Sequence, residues 1–167
     1  MNTAWHLGAK ILPLLTIILI AGCAQSTGVR SKFDTNSTHW QGRLSLRVHS
    51  QPEQAFSAHF DLQGNPHNGA LRLTTPLGTA LADMQWTADT ATLQTSGTVQ
   101  QFGSLPALVH QVTGTDLPVA SLFAWLQGID SPAPGWQVDL SGLTAGRLNA
   151  QRMPPDTPAD LKIILEP

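Results

Sequence analysis

The fold is decided by the stretch Gly42-Arg43-Leu44-Ser45-Leu46-Arg47-Val48-His49, in which polar and apolar side chains alternate. Successive side chains of a β-strand point to opposite faces of the sheet, so its three aliphatic residues share one face. The same alternation recurs in residues 56–63 and 70–75, and turn-forming residues lie between these stretches at 51–54 and 64–69. The pattern predicts an antiparallel meander with one solvated and one buried face.

Further along the chain, the alternation continues but is interrupted once. Residues 81–86, 91–95, 136–140, 147–152 and 161–165 complete a prediction of eight short strands, which favours a curled sheet or partial barrel. Two segments, 104–114 and 117–128, instead place apolar residues at helical spacing and end in glycine. Because both helices are inserted between strands, they must cover one opening or face of the sheet.

The N-terminus predicts a targeting segment. Lys10 precedes the ten-residue apolar run 11–20, which contains a proline and is shorter than the ~20 residues that a membrane span requires. The run is typical of a secretory signal peptide over residues 1–22. The following Ile20-Ala21-Gly22-Cys23 resembles the bacterial lipobox, and Cys23 is the only cysteine of the chain. The sequence therefore predicts lipidation of Cys23; the alternative is an ordinary signal peptide beside an incidental cysteine.

Residues 23–38 predict a tether between the lipid and a folded domain at 39–167. The segment is polar and shows neither strand nor helix periodicity. Such a segment has a mean reach of roughly 20 Å and a limit near 50 Å, so the domain can touch the membrane that holds it. Ala24 follows the cysteine, and by the enterobacterial sorting convention this residue indicates the outer membrane.

Composition excludes several function classes. The chain has 167 residues, of which 41% are hydrophobic and only 12% charged, and its formal net charge is −2. No basic block is present, so the sequence predicts no nucleic-acid partner. His59 and Asp61 share one strand face, but a third ligand or catalytic partner is lacking, and the remaining histidines show no ligand spacing. No HExxH, GxSxG or phosphate-loop motif occurs, so we expect no enzyme, metal or cofactor.

Four motifs in order resemble one known family. They are Trp40-x-Gly42-Arg43-Leu44, the stretch Leu71 to Gly78, Leu122-x-x-Trp125-Leu126-x-Gly128, and Gly135-Trp136. Over residues 38–167 the chain resembles the LolB family of outer-membrane lipoprotein receptors. The resemblance implies a mainly β fold with a helical lid, that is, an incomplete antiparallel β-barrel with an apolar cavity covered by helices. It also implies a receptor that takes the acyl chains of lipoproteins from the periplasmic carrier LolA and releases them into the outer membrane.

The resemblance places functional roles on particular residues. The loop Pro76-Leu77-Gly78 matches the family's membrane-contact loop, although taken alone Leu77 could fold back onto the core. The candidates for an acyl cavity are the apolar residues of the predicted strands and second helix: Leu44, Leu46, Phe56, Phe60, Leu71, Leu73, Trp125 and Leu126.

The residues themselves leave several points open. Any β-sheet core shows the same apolar pattern, so a closed interior fits the strand candidates equally well, and Trp125 and Leu126 fit either a lid or plain packing. Arg43 and Arg47 fit a solvated strand surface or a docking site for the carrier. The region between Trp136 and Leu161 is shorter than in better-known members, which predicts one or two shortened or missing strands. The chain also has no tyrosine to line a cavity wall.

Two other functions remain open at this point. One is an accessory or structural outer-membrane lipoprotein without acyl cargo. The other is a lipoprotein that binds free phospholipid or glycolipid. We expect a monomer that is lipid-anchored at the periplasmic face of the bacterial outer membrane.

Overall fold

A computed structural model describes residues 38–166, and the predicted signal peptide, Cys23 and most of the tether lie outside them. The described residues form nine strands, two α-helices and one 3-10 helix. In chain order these are β1 Thr38–Val48, β2 Gln54–Asn65, β3 Asn68–Thr74, β4 Ala80–Trp86, β5 Ala91–Thr95, β6 Thr98–Phe102, α1 Leu105–Thr113, α2 Val119–Leu126, β7 Trp136–Asp139, the 3-10 turn Leu143–Ala145, β8 Arg147–Arg152 and β9 Ala159–Leu165.

All nine strands belong to one antiparallel sheet that does not close. Their order is β6-β5-β4-β3-β2-β1-β9-β8-β7, so β6 and β7 are its two edges. The chain joins the sheet at its centre, where Thr38 lies opposite Gly64 and Val48 opposite Gln54. The prediction of a mainly β domain with two helices between strands is confirmed.

The strand count of eight is wrong because β6 was missed. Thr98 to Gln101 are all exposed, and Val99 is the single aliphatic residue among them. An edge strand that buries neither face gives no alternation to read. In the region where shortened strands were predicted, β7 has only four residues, fewer than any other described strand.

Strand β1 shows the predicted division between two faces. Leu46 and Val48 are buried, whereas Arg43 and Arg47 are exposed. Gly42 in the same strand meets a different requirement, because a Cβ atom there would collide with the carbonyl oxygen of Ile164 in β9. The glycine therefore permits the close approach of β1 to β9, which accounts for its place in the Trp-x-Gly-Arg-Leu motif.

Helix α1 is delimited by local signals. The Ser104 side chain accepts a hydrogen bond from the Ala107 amide at 3.3 Å, as expected of an N-cap residue. Gly114 ends the helix in the left-handed conformation, and its amide donates to the His110 carbonyl. Within the helix, Leu105 and Leu108 are the buried residues that face the sheet core.

Aromatic packing fixes α2 against the sheet. Phe123 contacts the rings of Trp40 and Trp86 edge-on, at centroid distances of 5.7 and 6.3 Å. On the other side, the Trp125 indole donates to the Ser131 carbonyl at 2.8 Å. Neither described helix has the length and apolar character of a membrane-crossing segment.

Replacing Leu108 with alanine is expected to lower the free energy of unfolding by about 2–5 kcal/mol. Its side chain has 0% exposure, so truncation leaves a cavity between α1 and the sheet. Urea unfolding followed by circular dichroism measures the change. Gln111→Ala, at an exposed site on the same helix, is the matched control and should stay within about 0.5 kcal/mol of the parent. Equal midpoints for the two variants would contradict the packing described above.

Candidate functional site

An apolar pocket of about 230 Å³ lies between the sheet and the two helices. Of its 23 lining residues, only Gln54 and Thr113 are polar, and none carries a titratable side chain. The Thr113 hydroxyl is already engaged locally, since it lies 2.8 Å from the Val109 carbonyl oxygen. A wall of this kind offers no charge or polar array to orient a hydrophilic ligand, and it suits a hydrocarbon chain.

The structure brings together most of the residues that the sequence offered as cavity candidates. Those that line the pocket are Leu44, Leu46, Phe56, Phe60, Leu71, Leu73 and Leu126. Trp125 lies apart from it, with 1% exposure and its indole nitrogen bonded to the Ser131 carbonyl. Its contacts are those of packing between α2 and the following loop.

Other lining residues were not singled out from the sequence. They include apolar side chains of β4, β9, α1, α2 and the segment joining the helices: Met84, Trp86, Leu161, Ile163, Val109, Val112, Leu117, Val119, Leu122 and Phe123. Their strand and helix periodicity was visible. However, periodicity identifies only the apolar face of each element and not the space between facing elements.

The pocket opens beside the first residues of β2. Phe56 and Val112 both line it and remain 40% and 43% exposed, so they stand at its mouth. Gln54 lies there as well, with its side-chain oxygen 3.6 Å from the position that a Cβ atom of Gly114 would occupy. The mouth therefore lies between the start of β2 and the end of α1.

The loop between β3 and β4 presents Leu77 to solvent. The Gly78 amide donates to the Thr75 carbonyl, and the Thr75 amide donates to the Thr79 carbonyl, both at 2.9 Å. These bonds close a tight turn in which Pro76 restricts the backbone and Gly78 adopts φ +84°. Leu77 is 95% exposed, so it does not fold back onto the core.

Charged side chains lie away from the pocket wall, and several of them form exposed pairs. Arg43 and Arg47 lie 3.8 and 3.7 Å from the carboxylates of Glu166 and Glu53. His49 contacts Asp160 at 2.8 Å, and this hydrogen bond lowers the pKa of the Asp160 carboxyl. Exposed pairs of this kind contribute little stability and leave the polar face well solvated.

The His59 and Asp61 pair does not form a site. Asp61 accepts hydrogen bonds from His39 at 3.0 Å and from Gln63 at 3.2 Å instead. Within residues 38–166, no group of three histidine or acidic side chains is arranged to hold a metal ion.

Comparison with known proteins identifies the family. The sequence profile described as "Outer membrane lipoprotein LolB" matches residues 37–153. The chain belongs to the LolB family. The outer-membrane lipoprotein LolB of Dechloromonas aromatica is 32% identical over 92% of this chain and 93% of its own length. The LolB proteins of Chromobacterium violaceum and Bordetella petrii are 28% and 32% identical over 80% and 84% of this chain, and over 75% and 73% of their own lengths.

The resemblance read from the four motifs is thus confirmed. Membership of the LolB family makes this chain an outer-membrane lipoprotein of the lipoprotein localisation pathway, and the predicted localisation is confirmed with it. In this LolB-family chain the matched region includes the whole of β1 to β8, and hence both helices and the Leu77 loop.

Proposed function

We propose that this chain is a receptor that accepts the acyl chains of lipoproteins from the periplasmic carrier LolA and inserts these lipoproteins into the outer membrane. In this proposal the open sheet is an incomplete barrel, α1 and α2 form its lid, and the pocket receives the acyl chains. The observation that carries the proposal is the pocket wall, which is apolar at 21 of its 23 residues and contains no titratable group.

The proposed residue roles follow from position. The seven candidates on the pocket wall contact the acyl chains, and Trp125 holds α2 in place from behind. Leu77 in the loop Pro76-Leu77-Gly78 contacts the periplasmic face of the outer membrane, and Cys23 carries the lipid anchor. Burial of one leucine contributes roughly 1.5–3 kcal/mol, which is enough to perturb a bilayer locally and too little to anchor a protein.

Transfer in this proposal requires neither catalysis nor a cofactor. Acyl chains move spontaneously from carrier to receptor to bilayer if each acceptor binds them more tightly than the previous one, because only differences in binding free energy set the direction. Arg43 and Arg47 are 57% and 58% exposed beside their acidic neighbours, so they are available to a carrier that presents acidic groups.

A transfer assay tests the receptor role. LolA loaded with a radiolabelled lipoprotein is incubated with the mature chain, and the two proteins are separated by affinity capture. We expect most of the label to move to the receptor. Label that stays on the carrier would show that the receptor role is wrong and would favour an accessory lipoprotein. Binding of labelled free phospholipid without any uptake of lipoprotein would favour a lipoprotein that binds free phospholipid or glycolipid.

Narrowing the pocket is expected to block acceptance of acyl chains. Val109 of α1 is half-buried in the pocket wall, so Val109→Trp fills part of the 230 Å³ volume. We expect the label accepted from LolA to fall at least tenfold. Ala107→Trp, at an exposed position on the same helix and outside the pocket wall, is the matched control and should transfer normally. Thermal unfolding verifies that both variants are folded. A folded Val109→Trp variant with normal transfer would place the acyl chains elsewhere.

A further inference from the structure

Exposed apolar side chains gather at one end of the sheet. We name this the Leu77 end and define it by the β1–β2 turn with the first residues of β2 (49–56), the β3–β4 loop (75–79), the end of α1 (112–114) and the β8–β9 connection (153–158). The other end, named the Thr38 end, carries the β2–β3 turn (66–67) and the β4–β5 turn (87–90). Of the seven large apolar side chains exposed within residues 38–166, four lie at the Leu77 end: Phe56, Leu77, Val112 and Met153.

The strand register shows that Phe56 and Leu77 lie at a similar height along the sheet. His59 of β2 lies opposite Thr74 of β3. Phe56 is three residues from His59 and Leu77 is three residues beyond Thr74, both toward the Leu77 end, because the two strands are antiparallel. An exposed apolar side chain of β2 and one of the neighbouring β3–β4 loop therefore lie at the same end.

Met153 reaches the same end from the other half of the sheet. It directly follows Arg152, which lies opposite Ala159, and Ala159 in turn lies opposite Val48 at the end of β1. Met153 is 41% exposed and does not line the pocket. Four strand spacings of about 4.8 Å separate β3, which leads into the Leu77 loop, from β8, so the apolar residues are spread over roughly 19 Å of this end.

The pocket mouth belongs to this apolar end. Phe56 and Val112 are both exposed and part of the pocket wall. The β2–β3 and β4–β5 turns of the Thr38 end, by contrast, are Pro66-His67 and Thr87-Ala88-Asp89-Thr90, and neither contains an exposed large apolar side chain. The two ends of the sheet thus differ in polarity, and the pocket opens at the apolar one.

We propose that the Leu77 end is a composite membrane-binding surface, in which Phe56, Val112 and Met153 join Leu77 in contacting the bilayer. The pocket mouth then faces the lipid directly, and acyl chains leave it without crossing water. This inference rests on the proposed function, since it extends the contact assigned there to Leu77 alone.

The length of chain before β1 supports a bilayer as the partner that contacts the Leu77 end. From Cys23 to Thr38 there are fifteen Cα-to-Cα steps, which span at most about 50 Å when fully extended. With Cys23 lipidated, the domain stays within this distance of a membrane. An apolar surface held so close to lipid meets the bilayer far more often than it meets a freely diffusing protein.

A site-specific fluorescence experiment tests the surface. Cys23→Ala removes the only cysteine, so single cysteines can be introduced into the full mature chain and labelled with an environment-sensitive NBD probe. An N-terminal histidine tag and a nickel-chelating lipid hold the chain on vesicles of phosphatidylethanolamine and phosphatidylglycerol. Relative to the same chain without vesicles, we expect a blue shift of NBD emission at Leu77→Cys, Val112→Cys and Met153→Cys. Val99→Cys and Ile129→Cys are matched controls at exposed apolar sites and should show none. Through the strand register Val99 lies level with Gln41, toward the Thr38 end, and Ile129 follows Gly128, which lies beside Leu143 of the β7–β8 connection.

The outcomes separate the inference from the function on which it rests. A shift at Leu77 alone would overturn the composite surface and leave the Leu77 contact intact. No shift at any position would contradict both. Shifts at the controls as well would indicate adsorption without a preferred face. A shift that depends on protein concentration and not on vesicles would assign the surface to a second copy of the chain and overturn the inference.

A functional readout complements the probe. Met153→Glu places a charge at the Leu77 end without altering the pocket wall or the Leu77 loop. We expect it to reduce delivery of lipoprotein from the receptor into liposomes about tenfold while uptake from the carrier is unchanged. Ile129→Glu is the matched control and should deliver normally. Normal delivery by Met153→Glu would remove Met153 from the surface.

Discussion

Replacing Leu77 with glutamate is expected to leave uptake of lipoprotein from LolA unchanged and to reduce its insertion into liposomes by at least tenfold. Leu77 is 95% exposed on a turn closed by two backbone hydrogen bonds, so its replacement disturbs neither the core nor the pocket wall. Loss of one buried leucine from a bilayer contact removes roughly 1.5–3 kcal/mol, or about a tenfold to hundredfold change in population. The glutamate adds the cost of bringing a charge to the lipid surface.

Two matched variants complete the Leu77 experiment. Leu77→Ile retains the apolar surface and should retain insertion. Val99→Glu introduces the same charge at another exposed aliphatic site, 64% exposed on the edge strand β6, and should also retain it. Uptake and insertion are measured separately, by label on the receptor and label in floated liposomes. Loss of both steps, or of neither, in Leu77→Glu would count against Leu77 as the membrane-contacting residue.

Replacing Cys23 with alanine is expected to convert the protein from a membrane-bound form to a soluble periplasmic form. Each buried methylene of an acyl anchor contributes about 0.8 kcal/mol, so several chains hold a lipoprotein on the bilayer almost permanently. Without the thiol there is no atom to carry the lipid. Fractionation of cells followed by immunoblotting measures the change, and labelled palmitate incorporation should disappear with it.

Ser26→Ala is the control for the Cys23 variant, because it lies in the same polar segment and leaves the thiol intact. It should remain in the outer-membrane fraction. Membrane retention of the Cys23→Ala variant would contradict the assignment of Cys23 as the lipid anchor. It would leave the Leu77 end as the principal membrane contact.

The sequence predicted the buried and exposed faces of the sheet well, because alternation in β1 and its neighbours follows directly from strand geometry. Strand β6 was missed, since a polar edge strand has no buried face to mark it. Helices α1 and α2 were located from apolar spacing and terminal glycines. The way in which the helices pack against the sheet was not predicted. It depends on contacts between distant parts of the chain, such as those of Phe123 with Trp40 and Trp86.

The same limit applies to the candidate site. Leu46 and Trp125 look alike in a sequence, as apolar residues on amphipathic elements, yet only Leu46 lies on the pocket wall. The difference arises from the gap between helix and sheet, which no local pattern records. For the Leu77 loop the residues alone also allowed Leu77 to fold back onto the core, and only the family resemblance predicted an exposed tip; in the structure Leu77 is exposed on a tight turn.

Strand β1 runs toward the Leu77 end, so the chain enters the sheet at the end opposite Leu77. The chain joins the sheet at Thr38, while Thr74 lies level with Arg43, five residues or about 17 Å farther toward Leu77. A taut linker would draw the Thr38 end down to the lipid and lift Leu77 away from it. If Cys23 carries the lipid and Leu77 meets the bilayer, as proposed above, the residues between Cys23 and Thr38 must reach from the membrane to the opposite end of the sheet, and their number would limit how often the proposed delivery is attempted. In the proposed mechanism, linker length is therefore a variable on which the rate of delivery depends.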